Sequence, residues 1–497
     1  MKAKTLMIQG TASHAGKSVI AAGLCRIFAR KGFSVAPFKS QNMSLNSFVT
    51  PDGSEIGRAQ AMQAHAAGVA PSADMNPILL KPLKDDGSQV MVLGKSAGNM
   101  TFAEYVEFRP RALEAVSGGL ERVMSEFEVV VIEGAGGAAE INFSRSEIVN
   151  MTVAKLADSP VLLVSDIDRG GAFASLAGTL DLLGNDRDRV RGMIINKFRG
   201  NRVLLDEGIE FIERKAGKPV LGVVPHIKPL FLDDEDSVYL ENPVRRGGGL
   251  KVCVPKLPRI SNFTDVRPLE MERGVSVSYA LGANDLCGAD AVVLPGSKAT
   301  IEDLRFLKRS GIADALAGMS ESGVPVIGIC GGYQMLGSAL EDADGFESAK
   351  TSERGLGFFP AETEIHEEKT LRQTSATVEN GGAIFSGIEG EEITGYEIHM
   401  GQTQFSGANN ARFLKKADGS FDGAVSENGN VYGTYLHGIF ENDNLRSTFL
   451  NHLRAKKGLP DEKTANFATE MEKQYERLAD VLEESLDMNA VMSMVFG

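Results

Sequence analysis

The stretch TLMIQGTASHAGKS, residues 5–18, passes from an apolar run through a glycine-bracketed loop into SVIAAGLCRIFARKG, residues 18–32, whose apolar residues recur at helical spacing. A loop joining a buried strand to a helix aims backbone N–H groups and the positive helix end at one point, where phosphate oxygens can be cradled. Gly10, Thr11 and Gly16 shape that cradle, Lys17 would hold the β- and γ-phosphates of ATP, and Ser18 would ligate magnesium. The loop has one residue more between its glycines than the GxxxxGK[ST] pattern. Strand and helix still lie where nucleotide binding needs them, and a purely structural glycine turn is the competing reading.

Working outward, the apolar runs TLMIQG, VVVIEG, PVLLVSD, RGMIINK and PVLGVVP alternate with helical stretches as far as about residue 225. Continuous hydrophobic runs in that rhythm predict an α/β domain with a doubly wound parallel sheet. Residues 232–250, LDDEDSVYLENPVRRGGGL, mix charge, proline and glycine as linkers do. A second rhythm follows in KVCVP, DAVVLPGS, PVIGICGG, GAIFSGI and NVYGTYLHG, predicting another mostly parallel α/β domain. The expected plan is therefore a P-loop domain over 1–231, a linker over 232–250, a second domain over 251–449 and a helical tail over 450–497. In the tail Phe467, Met471, Tyr475, Leu478, Leu482 and Leu486 recur every three or four residues, as in an amphipathic helix packed on its own domain or on a second copy in a homo-oligomer.

Composition narrows the classes. With 497 residues, 43% hydrophobic and 24% charged, the chain suits two or three globular domains. A net charge of −14 argues against sequence-independent nucleic-acid binding, which needs a basic face. The N-terminal apolar run is too short for a signal segment or membrane span, so a cytoplasmic protein without a membrane partner is expected. Cys25, Cys253, Cys287 and Cys330 show no CxxC spacing, hence neither a zinc site nor a disulfide framework is expected.

Further candidates cluster at strand ends. Glu133 closes VVVIE before GAGG, where its carboxylate would meet magnesium at the carboxyl edge of the sheet. Asn196 ends RGMIIN, where it would read adenine or simply cap a turn. Asp166, Asp168 and Arg169 follow PVLLVSD and either face the same crevice or cap the strand. In the second half PVIGICGGYQMLG, residues 325–337, turns from strand to helix at Cys330, with Gly331 and Gly332 permitting the bend. A thiol on such an elbow is exposed to a substrate, with backbone N–H groups nearby for an oxyanion, although a lone cysteine is more often a buried structural residue. Its base would be His437 in VYGTYLHGIF, with His399 in GYEIHMGQT as the competitor.

These motifs resemble two known families. The first half is similar to the dethiobiotin synthetase-like amide ligases, which phosphorylate a carboxylate before nitrogen attacks it. That resemblance implies a second phosphate-binding lysine at Lys39 and a metal-ligating acid at Glu55. The second half resembles class I glutamine amidotransferase domains, which implies an oxyanion strand at PGSK with Gly296 and Ser297, the nucleophile Cys330 beside Gly331, and the histidine His437. Where most of that class carries an acid two residues after the histidine, this chain has Ile439, so another group would have to orient the imidazole.

The arrangement as a whole resembles the cobyric acid synthase family, through QGTASHAGKS, FKSQNMSLNS, GSEIGRAQAMQA, DMNPILLKP, SDIDRGGAFA, PRISNFTD, LPGSKATIEDL, GICGGYQMLG and GTYLHGIF. The resemblance implies ATP, glutamine and adenosylcobyrinic acid a,c-diamide as substrates, with Mg2+ as cofactor and carboxylates b, d, e and g becoming amides. Corrin would then be substrate rather than cofactor. Ser40, Gln41, Asn42, Ser44 and Asn46, expected on one loop after Lys39, would supply donors to so polar an acid. Rival readings are cobyrinic acid a,c-diamide synthase, more distantly CTP synthase, and a partitioning-type ATPase switch fused to an inactive amidase fold. Such switches open their loop with a lysine where this chain has Ala12.

Overall fold

The computed structural model describes residues 3–83, 87–141, 147–227, 230–232, 249–347, 351–406 and 412–497. The chain divides into two compact units. One comprises Met1–Ser44, Ser54–Glu235 and Met471–Gly497, and the other Leu45–Gly53 and Asp236–Glu470. Most of the expected linker, residues 233–248, lies outside the described residues.

In the first unit six parallel strands lie in the order Val220–Pro225, Val190–Phe198, Val161–Asp166, Lys4–Gly10, Val129–Glu133 and Val35–Phe38. Both faces are covered, which is why the strands read as unbroken apolar runs. Val130 and Ile132 enter one core cluster while Val129 and Val131 enter the other, as the two-residue period of a strand requires. The chain runs outward in both directions from Lys4–Gly10, so Gly10, Glu133, Asp166 and Asn196 all emerge at the carboxyl edge beside the switch in strand order.

From Met471 onward the helix Phe467–Ser485 packs on this same unit. Tyr475, Leu478 and Leu482 share a core cluster with Ile20, Leu24 and Phe28 of the helix Lys17–Arg30. Arg26 pairs with Glu476 at 2.7 Å and Arg30 with Asp480 at 2.7 Å along the margin.

A smaller sheet orders Gln41–Met43, Ile78–Pro82, Ser88–Val92 and Lys95–Met100. Residues 41–43, expected in a loop, are thus a short strand parallel to Ile78–Pro82. Their backbone groups are taken by the ladder, and Asn42 turns inward to Gln60 Oε1, with Nδ2 donating at 2.9 Å. Ser40, Asn42, Ser44 and Asn46 are buried, whereas Gln41 stays partly exposed.

The second unit holds a sheet ordered Val275–Ala280, Leu250–Pro255, Ala291–Leu294, Val326–Ile329, Val431–Thr434 and Ala424–Val425, parallel apart from the last pair. Beside it, Ala361–Val378 and Glu392–Phe405 form a long antiparallel hairpin. The apolar run GAIFSGI, expected as a strand, is instead a series of turns. Phe385 N donates to Gly381 O at 2.7 Å and Ile384 N to Tyr432 Oη at 2.9 Å. The run is hydrophobic because Phe385 packs against Phe413, Tyr432 and Phe449, which a turn can do as well as a strand.

Among the described residues no helix is long and apolar enough to cross a membrane.

Candidate active site

The phosphate loop is built where the first strand ends. Thr11 N donates to Val164 O at 2.9 Å, tying the loop to the neighbouring strand, and Thr11 Oγ1 donates to Ser165 Oγ at 3.1 Å. Gly16 has φ +95°, and a Cβ there would lie 2.1 Å from Asn196 Nδ2, so glycine is required on both counts. Asn196 Nδ2 donates to Ala15 O at 2.8 Å, which makes Asn196 a brace of the loop itself. Lys17 Nζ donates to Gly136 O at 2.9 Å and Ala12 O at 3.2 Å, and so links the loop to the glycine turn after Glu133.

Glu133 is the centre of this site. Its fully buried carboxylate accepts from Ser18 Oγ at 2.7 Å, Lys39 Nζ at 3.0 Å and Gln63 Nε2 at 2.6 Å. Burial alone would raise the Glu133 carboxyl, but the Lys39 charge with the Ser18 and Gln63 hydrogen bonds holds it below the usual carboxylate range. Glu133 is therefore anionic at neutral pH, with a serine hydroxyl against it. One carboxylate and one hydroxyl match how magnesium is held beside nucleotide phosphates, the cation keeping its remaining positions for phosphate and water. Glu55 makes a different bond: its buried carboxylate takes Lys81 Nζ at 2.6 Å, which neutralises it there. Among the described residues no group of three or more His, Cys, Asp or Glu side chains is placed to hold a metal.

Gln60 and Gln63 lie three residues apart on one face of the helix Arg58–Ala67, within GRAQAMQA, and both aim at Glu133. Asp166 Oδ1 accepts from Asp168 N at 2.8 Å, the strand-end cap weighed from the sequence, while Asp166 Oδ2 pairs with Lys197 at 2.9 Å. Asp168 pairs with Arg199 at 2.9 Å. Gln41 accepts a hydrogen bond from Tyr105 Oη.

In the second unit Cys330 lies between the strand Val326–Ile329 and the helix Gly331–Leu336 with φ +53° and ψ −109°. A non-glycine residue in that conformation stores roughly 1–3 kcal/mol of backbone strain, the usual geometry of a nucleophile elbow. Cys330 N donates to Thr434 O at 2.8 Å, and Sγ faces Ile398 O at 3.5 Å. A Cβ on Gly331 would stand 2.8 Å from Ser297 N, so the strand Gly296–Ser297 passes close beside the residue that follows Cys330. Ser297 Oγ in turn donates to Asp303 at 2.6 Å, and Arg259 N donates to the same carboxylate at 3.2 Å. Burial pushes the Asp303 carboxyl up to about 7 against these hydrogen bonds.

His437 follows the strand Val431–Thr434, which pairs with Val326–Ile329 in parallel, so both residues emerge at the same edge. The missing acid is supplied by Asp265, far upstream in PRISNFTD. Asp265 Oδ2 stands 2.7 Å from His437 Nδ1, and Asp265 Oδ1 accepts from Gly438 N at 2.9 Å. Burial works against an imidazolium here, but the Asp265 carboxylate, followed by the Cys330 sulfur, overcomes it and lifts His437 to about 10. Its Nε2 makes no hydrogen bond of ordinary length among the described residues and is left for the thiol or the reacting atoms. His399 has another task. Its Nδ1 lies 2.8 Å from Gly401 O, its ring stacks on Tyr435 at 3.7 Å, and burial pulls its imidazole down to about 4.

Comparison with known proteins agrees with this division. Residues 6–236 match the CobQ/CobB/MinD/ParA nucleotide binding domain, and residues 251–445 match the CobB/CobQ-like glutamine amidotransferase domain. The chain is 49% identical to the cobyric acid synthase of Sorangium cellulosum, over 100% of this chain and 99% of that one. The chain belongs to the cobyric acid synthase family. Other members of the cobyric acid synthase family include a probable cobyric acid synthase of Methanothermobacter thermautotrophicus, 48% identical over the full length of both chains. The cobyric acid synthase of Desulforamulus reducens is 46% identical over 99% of this chain and 98% of its own.

Proposed function

We propose that this chain converts carboxylates b, d, e and g of adenosylcobyrinic acid a,c-diamide to amides, using ATP and glutamine. One observation carries the reading: a single chain builds both the Cys330–His437–Asp265 array and the Ser18–Glu133–Lys39 array. The first suits release of ammonia from glutamine, the second activation of a carboxylate by ATP.

At the first site Asp265 holds His437 as an imidazolium, so the proton that Cys330 and His437 share rests on His437 Nε2 beside the sulfur. Sulfur attacks the glutamine side-chain carbonyl, and the N–H groups of Gly331 and Ser297 hold the oxyanion that forms. As the C–N bond breaks, His437 returns the proton to the leaving nitrogen and ammonia departs. Water, deprotonated by His437, then cleaves the thioester to give glutamate and restore the thiol.

At the second site Lys17 and Lys39 hold the phosphates of ATP, with the loop braced by Asn196. A substrate carboxylate oxygen attacks the γ-phosphorus and ADP leaves; ammonia then attacks the acyl phosphate, expelling phosphate and leaving the amide. Ser18 and Glu133 would hold magnesium, which when bound offsets charge on the β- and γ-phosphates. Glu55 stays with Lys81, outside that pair. The partly exposed Gln41 is the member of its polar run left to meet the acid.

Incubation of the pure protein with ATP, glutamine and either cobyrinic acid or adenosylcobyrinic acid a,c-diamide, with amides counted by mass, tests the assignment. Amidation of the diamide supports it; amidation of cobyrinic acid alone would transfer the chain to the a,c-diamide synthases.

A further inference from the structure

The segment Leu45–Gly53 follows and precedes chain of the first unit, yet it belongs to the second. Its contacts there converge on the glutamine site. Ser47 N donates to Asn262 Oδ1 at 3.2 Å, and Asn262 Nδ2 donates to Tyr396 Oη at 3.3 Å. The Tyr396 ring lies against Phe48 at 5.6 Å and stacks on His437 at 5.1 Å with an interplanar angle of 16°. Backbone bonds lock the same two residues: His437 N donates to Tyr396 O at 2.9 Å, and Tyr396 N to His437 O at 3.2 Å.

Two further routes lead from the segment to the triad. Asn262, in a left-handed conformation with φ +49°, opens the turn Phe263–Val266 that carries Asp265, and Asp265 N donates to Asn262 O at 3.1 Å. Val49 is fully buried in a small apolar cluster with Tyr396 and Ile398, the residue whose carbonyl faces Cys330 Sγ. Gln373 Nε2 also donates to Val49 O. One nine-residue segment thus bears on the imidazole, on its carboxylate and on the nucleophile.

We propose that Leu45–Gly53 is a coupling strap and that Asn262 and Tyr396 are positioning residues through which its seating sets His437 for glutamine cleavage. The strap is covalently continuous with the stretch bearing Lys39 and Ser44, so events at the ATP and carboxylate site have a short mechanical path to it. Occupancy of that site changes the strap, the strap shifts Tyr396, and the imidazole gains or loses alignment with Cys330. Misplacing a reacting group by about 1 Å is enough to cost on the order of 100-fold in rate. The proposal rests on the amide-ligase reading above.

Phe48→Ala removes the strap's ring from Tyr396. Tyr396→Phe keeps the stack on His437 but removes the hydroxyl that Asn262 reaches, and serves as the gentle variant if Phe48→Ala fails to fold. Three rates are measured on each full-length protein: glutamine hydrolysis alone, hydrolysis with ATP and the corrin acid, and synthesis from ammonium. In the wild type ATP and acid should raise hydrolysis by about tenfold or more. Both variants should lose most of that response and shift the pH profile of hydrolysis, while synthesis from ammonium stays within about twofold of wild type. Hydrolysis in Tyr396→Phe that still responds fully to ATP and acid would overturn the strap. A wild type unable to amidate the acid from ammonium would instead overturn the functional reading itself.

Discussion

Asp265 holds the His437 ring as an imidazolium, with Nδ1 toward the carboxylate. Asp265→Asn should therefore lower glutamine-dependent synthesis by on the order of 10²- to 10⁴-fold, with synthesis from ammonium retained, as paired assays would show. The same pair ties stability to pH. His437 is raised from 6.5 to about 10, so its contribution is complete below about pH 6.5 and is lost as pH climbs through about 10. Urea titrations should accordingly show the stability gap separating wild type from Asp265→Asn closing towards about pH 10. Asp303 makes a separate prediction. Its carboxyl titrates at about 7 and accepts from Ser297 Oγ and Arg259 N, so the anionic form grips the oxyanion strand more strongly above that pH. Asp303→Asn should remove a limb near pH 7 from the profile of kcat/KM for glutamine.

Among the elements, the helix Phe467–Ser485 is held by its apolar face more than by the ion pairs along its edge, which are half exposed and worth little singly. Leu482 is fully buried against the helix Lys17–Arg30, which follows the phosphate loop directly. Leu482→Ala should cost about 2–5 kcal/mol of stability in urea unfolding, with lowered ATP affinity as the loop's supporting helix loosens. The strand Gln41–Met43 shows the reverse emphasis, since its one buried residue is the polar Asn42, whose backbone joins the ladder and whose Nδ2 donates to Gln60 Oε1.

At the scale of the whole molecule, two units with separate cores carry separable chemistries. Cys330→Ala should abolish synthesis from glutamine yet leave synthesis from ammonium, whereas Lys17→Ala should abolish both; a coupled ADP assay with each nitrogen source checks the pair. Much of this was legible in the residues. Buried parallel strands announce themselves as apolar runs, a phosphate loop and a nucleophile elbow are local in sequence, and Lys17, Ser18, Glu133, Cys330 and His437 all lie within or beside such runs. The fate of GAIFSGI was not legible, because burial makes a turn as apolar as a strand. Nor was the tie of Glu55 to Lys81, since an acid gives no local sign of which lysine will neutralise it. Local sequence thus determined the two domain types, the loop and the elbow by itself, through strand and helix periodicity. Tertiary structure decided that Asp265 serves His437, that His399 stays neutral, and that Leu45–Gly53 joins the second unit. Each of those depends on which distant segments pack together, and spacing along the chain carries no record of that.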